Sequence, residues 1–339
     1  LARARQYGGA PPEESRSVNP IRRISMTKQF SRRDFLRYLG SGAVTGTAAI
    51  LTGCSWTTGG TGSPPLRIVF YTDVHARREW DTPAALTMAA DAINRQKADI
   101  VIGGGDFITD GFQSSAAAVA DRWDVYMDMH RALEGQVHAV IGNHDLVGAI
   151  PEDGSAPAED PRSEFRRRIG VSRTFYSFDA GGYHFMLLDS MDIIGGSLKY
   201  RGYVSAEQLE WIRADLATVP GSRPIVLALH MPLVTGFYQM TEGAAEPAPA
   251  NRVVVNNREV LGLFESHNLL LVLQGHLHVS ELIRWGGTTF VTGGAVSGKW
   301  WRGSWHGTPE GFTVLTLRGE RIDWEYVTYG WKARRPRNA

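Results

Sequence analysis

The stretch Leu66-Arg67-Ile68-Val69-Phe70-Tyr71-Thr72-Asp73-Val74-His75 decides how the chain is read. Residues 67–72 form an apolar, β-branched and aromatic run that predicts a strand, and two chemically strong side chains, Asp73 and His75, follow it. The pattern returns downstream. Residues 100–102 lead to Gly105-Asp106, and residues 137–141 to Gly142-Asn143-His144-Asp145. Residues 224–229 lead to His230, and residues 269–273 to Gly275-His276-Leu277-His278. Polar clusters just past strand ends are where α/β folds place their sites. Between these strands, Thr82-Pro83 opens a helix with Leu86, Ala89, Ala90 and Ile93 on its apolar face, and residues 114–133 read as a second helix. Ser205-Ala206-Glu207-Gln208 is a capping box ahead of Leu209, Ile212 and Leu216. Residues 175–178 and 183–188 flank a hairpin turn at Ala180-Gly181-Gly182, and residues 289–292 and 312–317 complete the strands. Helical crossovers mixed with hairpins predict an α/β fold of two mixed sheets with outer helices, rather than one parallel sheet.

The clusters together supply Asp73, His75, Asp106, Asn143, His144, Asp145, His230, His276 and His278. Imidazole with carboxylate suits a divalent transition metal, and a set without Cys disfavours a closed structural zinc site. Glycine before Asp106, Asn143 and His276 is expected to let the backbone turn sharply there. His130, His138, His184 and His267 lie within predicted helices or strands and read as packed residues, and His306, in an aromatic-rich loop, reads as a surface residue before one that touches substrate. Lys299-Trp300-Trp301-Arg302-Gly303-Ser304-Trp305 has two readings of equal standing. It grips a phosphate and stacks a base or sugar, or it is a packed loop capping the fold.

The chain has 339 residues, 36 Lys+Arg, 35 Asp+Glu and a single Cys. That composition excludes a disordered chain, a collagen, a multi-span membrane protein and an internal disulfide framework. The first 53 residues hold nine Lys/Arg and three Asp/Glu, which leaves the remainder at net −5 and argues against a general nucleic-acid surface. Ser31-Arg32-Arg33-Asp34-Phe35-Leu36 resembles a twin-arginine export motif, and Leu51-Thr52-Gly53-Cys54 resembles a bacterial lipobox. Residues 38–53 between them are too short and too polar for a membrane span. Residues 1–53 are therefore expected to be an upstream extension plus a lipoprotein signal peptide, with Met26 the natural start. Residues 54–65 are a flexible tether, 66–331 the folded domain and 332–339 a basic tail. Lipid on Cys54 would hold the protein at a membrane surface without spanning it. Two long loops, 148–161 and 232–251, stand out as functional candidates.

In this order the polar clusters resemble the signature of the calcineurin-like metallophosphoesterase superfamily, from about residue 66 to about residue 326. The resemblance implies a four-layer α-β-β-α sandwich with a metal site at the strand C-terminal ends. It implies two divalent or mixed-valence ions, Mn, Fe or Zn. One would be held by Asp73, His75, Asp106 and His278, the other by Asp106, Asn143, His230 and His276, with one Asp106 oxygen on each ion. His144 would face the substrate, oriented by Asp145. Purple acid phosphatases carry D-x-G in the first motif and a Tyr three residues after the second Asp, where this chain has His75 and Thr109. The D-x-H start, Gly105-Asp106-Phe107-Ile108-Thr109-Asp110 and the helix after Val204 are more similar to bacterial cyclic-nucleotide-phosphodiesterase-type members. The implied protein is an exported phosphoesterase, lipid-anchored at a periplasmic or cell-surface face, acting on phosphodiesters before monoesters. It would use a two-metal-activated hydroxide, with His144 assisting the leaving group. The alternatives are a phosphomonoesterase or nucleotidase, and a noncatalytic ligand-binding lipoprotein on the same scaffold.

Overall fold

The computed structural model describes residues 64–334. The twin-arginine run, Cys54 and most of the tether lie outside the described residues, as do positions 335–339 of the tail. The chain runs β1 (Leu66–Tyr71), α1 (Thr82–Asn94), β2 (Ile100–Gly103), α2 (Ala120–Ala132), β3 (Gln136–Ala139), α3 (Ser163–Ile169), β4 (Tyr176–Ala180), β5 (Tyr183–Leu187), β6 (Met191–Gly195) and β7 (Lys199–Gly202). It continues with α4 (Ala206–Leu216), β8 (Pro224–Ala228), α5 (Phe237–Thr241), α6 (Asn257–Gly262), β9 (Asn268–Gln274), β10 (Glu281–Trp285), β11 (Thr288–Thr292), β12 (Gly311–Arg318) and β13 (Arg321–Thr328). One sheet has the order β13-β12-β1-β2-β3, a second β10-β11-β9-β8-β5-β4, and β6-β7 form a separate ribbon. Both large sheets are mixed. β1, β2 and β3 are parallel and β12 antiparallel to β1, while β5, β8, β9 and β11 are parallel with antiparallel hairpin partners β4 and β10.

Side-chain alternation along β1 explains the layering. Leu66, Ile68 and Phe70 join Phe185, Leu187, Val226, Leu271, Leu273 and Val291 in the core between the sheets. Val69 and Tyr71 join Leu86, Ala89 and Ile93 of α1 and Tyr126 of α2. On the second sheet Met186, Ile225 and Leu227 pack with Leu209, Ile212 and Leu216 of α4. The result is the expected four-layer sandwich. Its parallel strands end at one edge, where backbone and side-chain bonds cross between the sheets: Val296 N–H donates to Thr72 O at 3.0 Å, and His276 N–H to Asp73 Oδ2 at 3.0 Å.

Two local differences from the sequence reading have physical causes. The helix expected over 114–133 starts at Ala120, because the stretch before it is held in turns, with Ser115 N–H donating to Asp153 Oδ2 at 2.7 Å. β10 and β13 were not expected; each is a hairpin partner on a sheet edge, and its outer residues, such as Trp285 and Glu325, are exposed. No helix among the described residues is long and apolar enough to cross a membrane.

Phe70 is the floor of the site edge. It is fully buried, and a Cβ on Gly104 or Gly293 would lie 2.5 or 2.7 Å from its ring atoms. Phe70→Ala should therefore cost about 3–5 kcal/mol of stability. Urea unfolding checks this; a loss below about 1 kcal/mol would mean the loops above the ring do not rest on it.

Candidate metal centre

The strand ends turn through a conformation that side chains rarely accept. Asp73 (φ 54), His75 (47), Asp106 (55), His276 (71) and His278 (59) all lie in the left-handed region. Each such residue costs on the order of 1–3 kcal/mol, and Asp and His tolerate it better than most. The glycines divide their work differently from the expectation. Gly105 makes a turn, with φ 94. Gly142 and Gly275 have no positive φ and are required by close approach. A Cβ on Gly142 would sit 2.3 Å from the Asp106 amide nitrogen and Oδ1, and one on Gly275 2.3 Å from Thr72 Oγ1.

These turns bring the metal-ligating candidates into two adjoining buried groups, Asp73, His75 and His278, and Asp106, His230 and His276. In the first, His278 Nε2 lies 3.1 Å from His75 Nε2 and 3.3 Å from Asp73 Oδ1. In the second, His230 Nε2 lies 3.2 Å from Asp106 Oδ2, from Asn143 Oδ1 and from His276 Nδ1. Asp106 Oδ2 faces both groups, being also 3.8 Å from His75 Nε2. The sequence reading gave each ion its own Asp106 oxygen. In the structure Oδ2 is the oxygen that faces both groups, while Oδ1 accepts the His144 N–H at 2.8 Å.

Neighbouring groups fix which nitrogen three of the rings present, while His75 Nδ1 is buried without a partner. His278 Nδ1 donates to Gly298 O at 2.6 Å and His230 Nδ1 to Gly104 O at 2.8 Å, so both aim Nε2 inward. His276 is reversed: Nε2 donates to Asn251 O at 3.1 Å and Nδ1 points inward. Asp73 Oδ2 accepts from Thr72 Oγ1 and the His276 amide, while its Oδ1 is buried without a hydrogen-bond partner. Burial opposes ionisation of Asp73, yet the adjacent His278 imidazole holds its carboxyl at about 2. Burial and neighbouring imidazoles push His75 and His276 well below the ordinary histidine range, which keeps them neutral as ligation requires. Burial disfavours a charge on His230 too, but Asp106 raises it to about 9. An orphaned carboxylate oxygen facing inward-aimed imidazoles is a donor set that fits a divalent cation on each side of Asp106.

His144 stands at the open side, half-buried, its ring edge-on to His75 at 4.7 Å. It also lies within the cluster formed by His75 and Asp106. Its Nδ1 accepts the Asp110 N–H at 3.0 Å, so a neutral ring carries its proton on Nε2. Asp145 was expected to orient this ring. Instead its carboxylate is buried and accepts N–H bonds from Asp106, Phe107 and Gly142 at 2.8–2.9 Å, with Ile108 at 3.4 Å. It ties the Asp106 loop to the Asn143 loop, and the imidazole is oriented by the Asp110 backbone.

His130, His138, His184 and His267 stay outside the site; His184, for example, is held at 2.7 Å by both Asp179 and Asp215. The tryptophan stretch divides between its two readings. Trp301 is buried and donates Nε1–H to His75 O at 3.0 Å, whereas Trp300 lies at the site, 4.4 Å from the His278 ring. Sequence reasoning missed Arg252, whose Nη1 is 3.3 Å from His276 Nε2, and Ser297, whose Oγ donates to Asp73 O at 2.7 Å. No motif marks either one.

The profile of calcineurin-like phosphoesterases matches residues 66–280. Purple acid phosphatase 15 of Arabidopsis thaliana is 30% identical over 169 residues, covering 47% of this chain and 28% of that protein's length. A dimetal phosphatase from Danio rerio has a similar structure, with a TM-score of 0.54 at 16% identity, covering 78% of this chain and 99% of that one. A purple acid phosphatase from yellow lupin (Lupinus luteus) seeds gives 0.50 at 18% identity, covering 79% and 52%. At these identities the structural likeness is one of fold.

The position of Asp145 makes a direct forecast. In Asp145→Asn the amide NH₂ would face backbone N–H groups, leaving buried donors unsatisfied at a cost of about 1–3 kcal/mol each. Denaturation should show the loss in protein without metal as well as with it. Unchanged stability would return Asp145 to a role at the imidazole.

Proposed function

The chain belongs to the calcineurin-like phosphoesterase family, and from that premise we propose that it is an exported, two-metal phosphodiesterase. Asp73, His75, Asp106 and His278 would hold one ion and Asp106, Asn143, His230 and His276 the other, with Mn, Fe or Zn suited to these nitrogen and oxygen donors. The observation that carries the proposal is Asp106 Oδ2, set between His230 Nε2 at 3.2 Å and His75 Nε2 at 3.8 Å. When bound, two such cations supply Lewis acidity and ready ionisation of water near neutral pH.

The chain's own residues do the rest. The bonds from Nδ1 of His230 and His278 to backbone carbonyls aim Nε2 of both rings inward, and on His230 that nitrogen gives up the proton Asp106 favours when it ligates. Asp145 keeps the loops of Asp106 and Asn143 in register. His144, with its proton on Nε2 and its ring at the open side, donates to the departing oxygen. The D-x-H first motif and the Gly105–Asp110 stretch support a diesterase. A monoesterase reading rests on one finding, the 30% identity to a purple acid phosphatase. Against it, Thr109 stands where that branch has Tyr, with its Oγ1 accepting from Arg77 Nη2 at 3.1 Å. Export and lipid anchoring rest on Arg32, Arg33 and Cys54; they would put the domain at a periplasmic or cell-surface face, tethered to membrane lipid.

Metal-loaded protein should hydrolyse bis-aryl phosphate faster than mono-aryl phosphate, and chelation should abolish both activities. The reverse preference would favour the monoesterase, and no turnover of either the binding-protein reading. His144→Ala should slow esters of basic alcohols by about 10²–10⁴ while barely affecting nitrophenyl esters. Equal slowing across leaving groups of graded basicity would remove His144 from the acid role. For the anchor, Cys54→Ala should shift the protein from the membrane to the soluble fraction; retention in high salt would refute lipid attachment there.

A further inference from the structure

Partly exposed side chains form an arc around the open side of the metal centre. It begins at Trp300, with ring centroids 4.4 Å from His278 and 5.9 Å from His75. Trp305 follows at 6.2 Å, His306 at 4.4 Å from Trp305, Phe237 at 5.0 Å from His306 and Tyr238 at 5.3 Å from Phe237. Arg252 stands on the other side of the site, its Nη1 3.3 Å from His276 Nε2.

Four observations say that this arc is displayed for a ligand rather than packed for stability. α5, which carries Phe237 and Tyr238, buries none of its residues. The loop between them and the site is anchored by the buried Trp301, while Trp300 beside it, in the left-handed region at φ 46, is only partly buried. The four ring contacts from Trp300 to Tyr238 are edge-to-face, with interplanar angles of 68–90°, and Trp300 meets the His278 and His75 rings tilted at 38° and 49°, so no two rings stack flat, although Lys299 Nζ lies 4.6 Å from the Trp305 ring centroid. Arg252 forms no ion pair among the described residues, although half-buried beside a candidate ligand. A guanidinium there is repelled by cations in the centre unless an anion lies between them.

Resting on the phosphoesterase reading above, we propose that this arc selects the substrate. Arg252 holds a non-bridging phosphoryl oxygen on the His276 side, and the rings from Trp300 to Tyr238 stack a planar aromatic group of the ester. The two halves fall on opposite sides in the required sense. Trp300 and His144 both adjoin His75, so the ring sits by the group that assists the leaving oxygen, and the cation sits across the centre from it. The preferred substrate is then a phosphoester bearing an aromatic ring, either a nucleobase or an aryl group.

Calorimetric titration of the metal-loaded full chain with inorganic phosphate, ribose 5-phosphate, adenosine 5′-monophosphate and phenyl phosphate tests this. The two ring-bearing ligands should bind about tenfold or more tighter than ribose 5-phosphate, and the stronger of the two identifies the source of the ring. Trp300→Ala should erase that advantage and leave inorganic phosphate unchanged; Trp305→Ala, farther from the ligands, gives the same readout should the first variant fold poorly. Arg252→Ala should weaken all four ligands about tenfold or more with metal content unchanged. Equal binding of adenosine monophosphate and ribose 5-phosphate by the native protein overturns the ring subsite. Native phosphate affinity in Arg252→Ala overturns the oxygen subsite. No affinity for any of the four, with no ester hydrolysis, would instead sink the phosphoesterase reading itself.

Discussion

The carboxylate of Asp73 joins the two halves of the sandwich. Its Oδ2 takes the amide proton of His276, so the end of β1 in one sheet is bonded to the end of β9 in the other, while Oδ1 stays free on the side of the imidazoles. The apolar contacts between the sheets, through Ile68, Phe70, Phe185 and Leu271, are non-directional and can hold the sheets together without fixing their offset. Directional bonds at the edge do that. With the His230 Nδ1 bond to Gly104 O and the Val296 bond to Thr72 O, the Asp73 bond sets where each donor atom comes to rest.

A second layer of constraint lies beneath the donors. Asp145 gathers amides from two loops, Asp106 Oδ1 takes the amide of His144, and backbone carbonyls take the outer nitrogens of the rings. Two atoms of the site are buried without a hydrogen-bond partner, Asp73 Oδ1 on the side of the imidazoles and His75 Nδ1 on the outer side of its ring. Such pre-organisation reduces the ordering that metal binding would otherwise have to impose.

The sequence made much of this readable, for a physical reason. A parallel strand followed by a polar residue puts that residue at a known edge of a sheet, so the order of Asp73, His75, Asp106, Asn143, His230, His276 and His278 pointed to the fold and the edge, while their division between two ions came from the family resemblance alone. What it could not carry was direction after the turn. Asp145 follows His144 in the chain and invited a side-chain pair, but adjacent side chains in a tight turn diverge, and Asp145 goes down to the amides while His144 goes out. Arg252 reaches His276 from the end of a long loop with no periodicity, and a single arginine there has no signature. Edge strands β10 and β13 were missed because exposed outer residues blur the alternation that reveals a strand.

The left-handed backbone at Asp73, His75, Asp106, His276 and His278 also restricts which residues can replace them. Asp, Asn and His share a tolerance for that conformation that longer and branched side chains lack. An exchange that conserves charge, such as Asp to Glu, therefore strains the chain and changes its reach together, whereas moves among Asp, Asn and His leave the turn intact and alter only the donor atom. The easy variation in this centre lies among three short side chains, so its affinity for one metal over another is adjustable by donor type and resistant to adjustment by size.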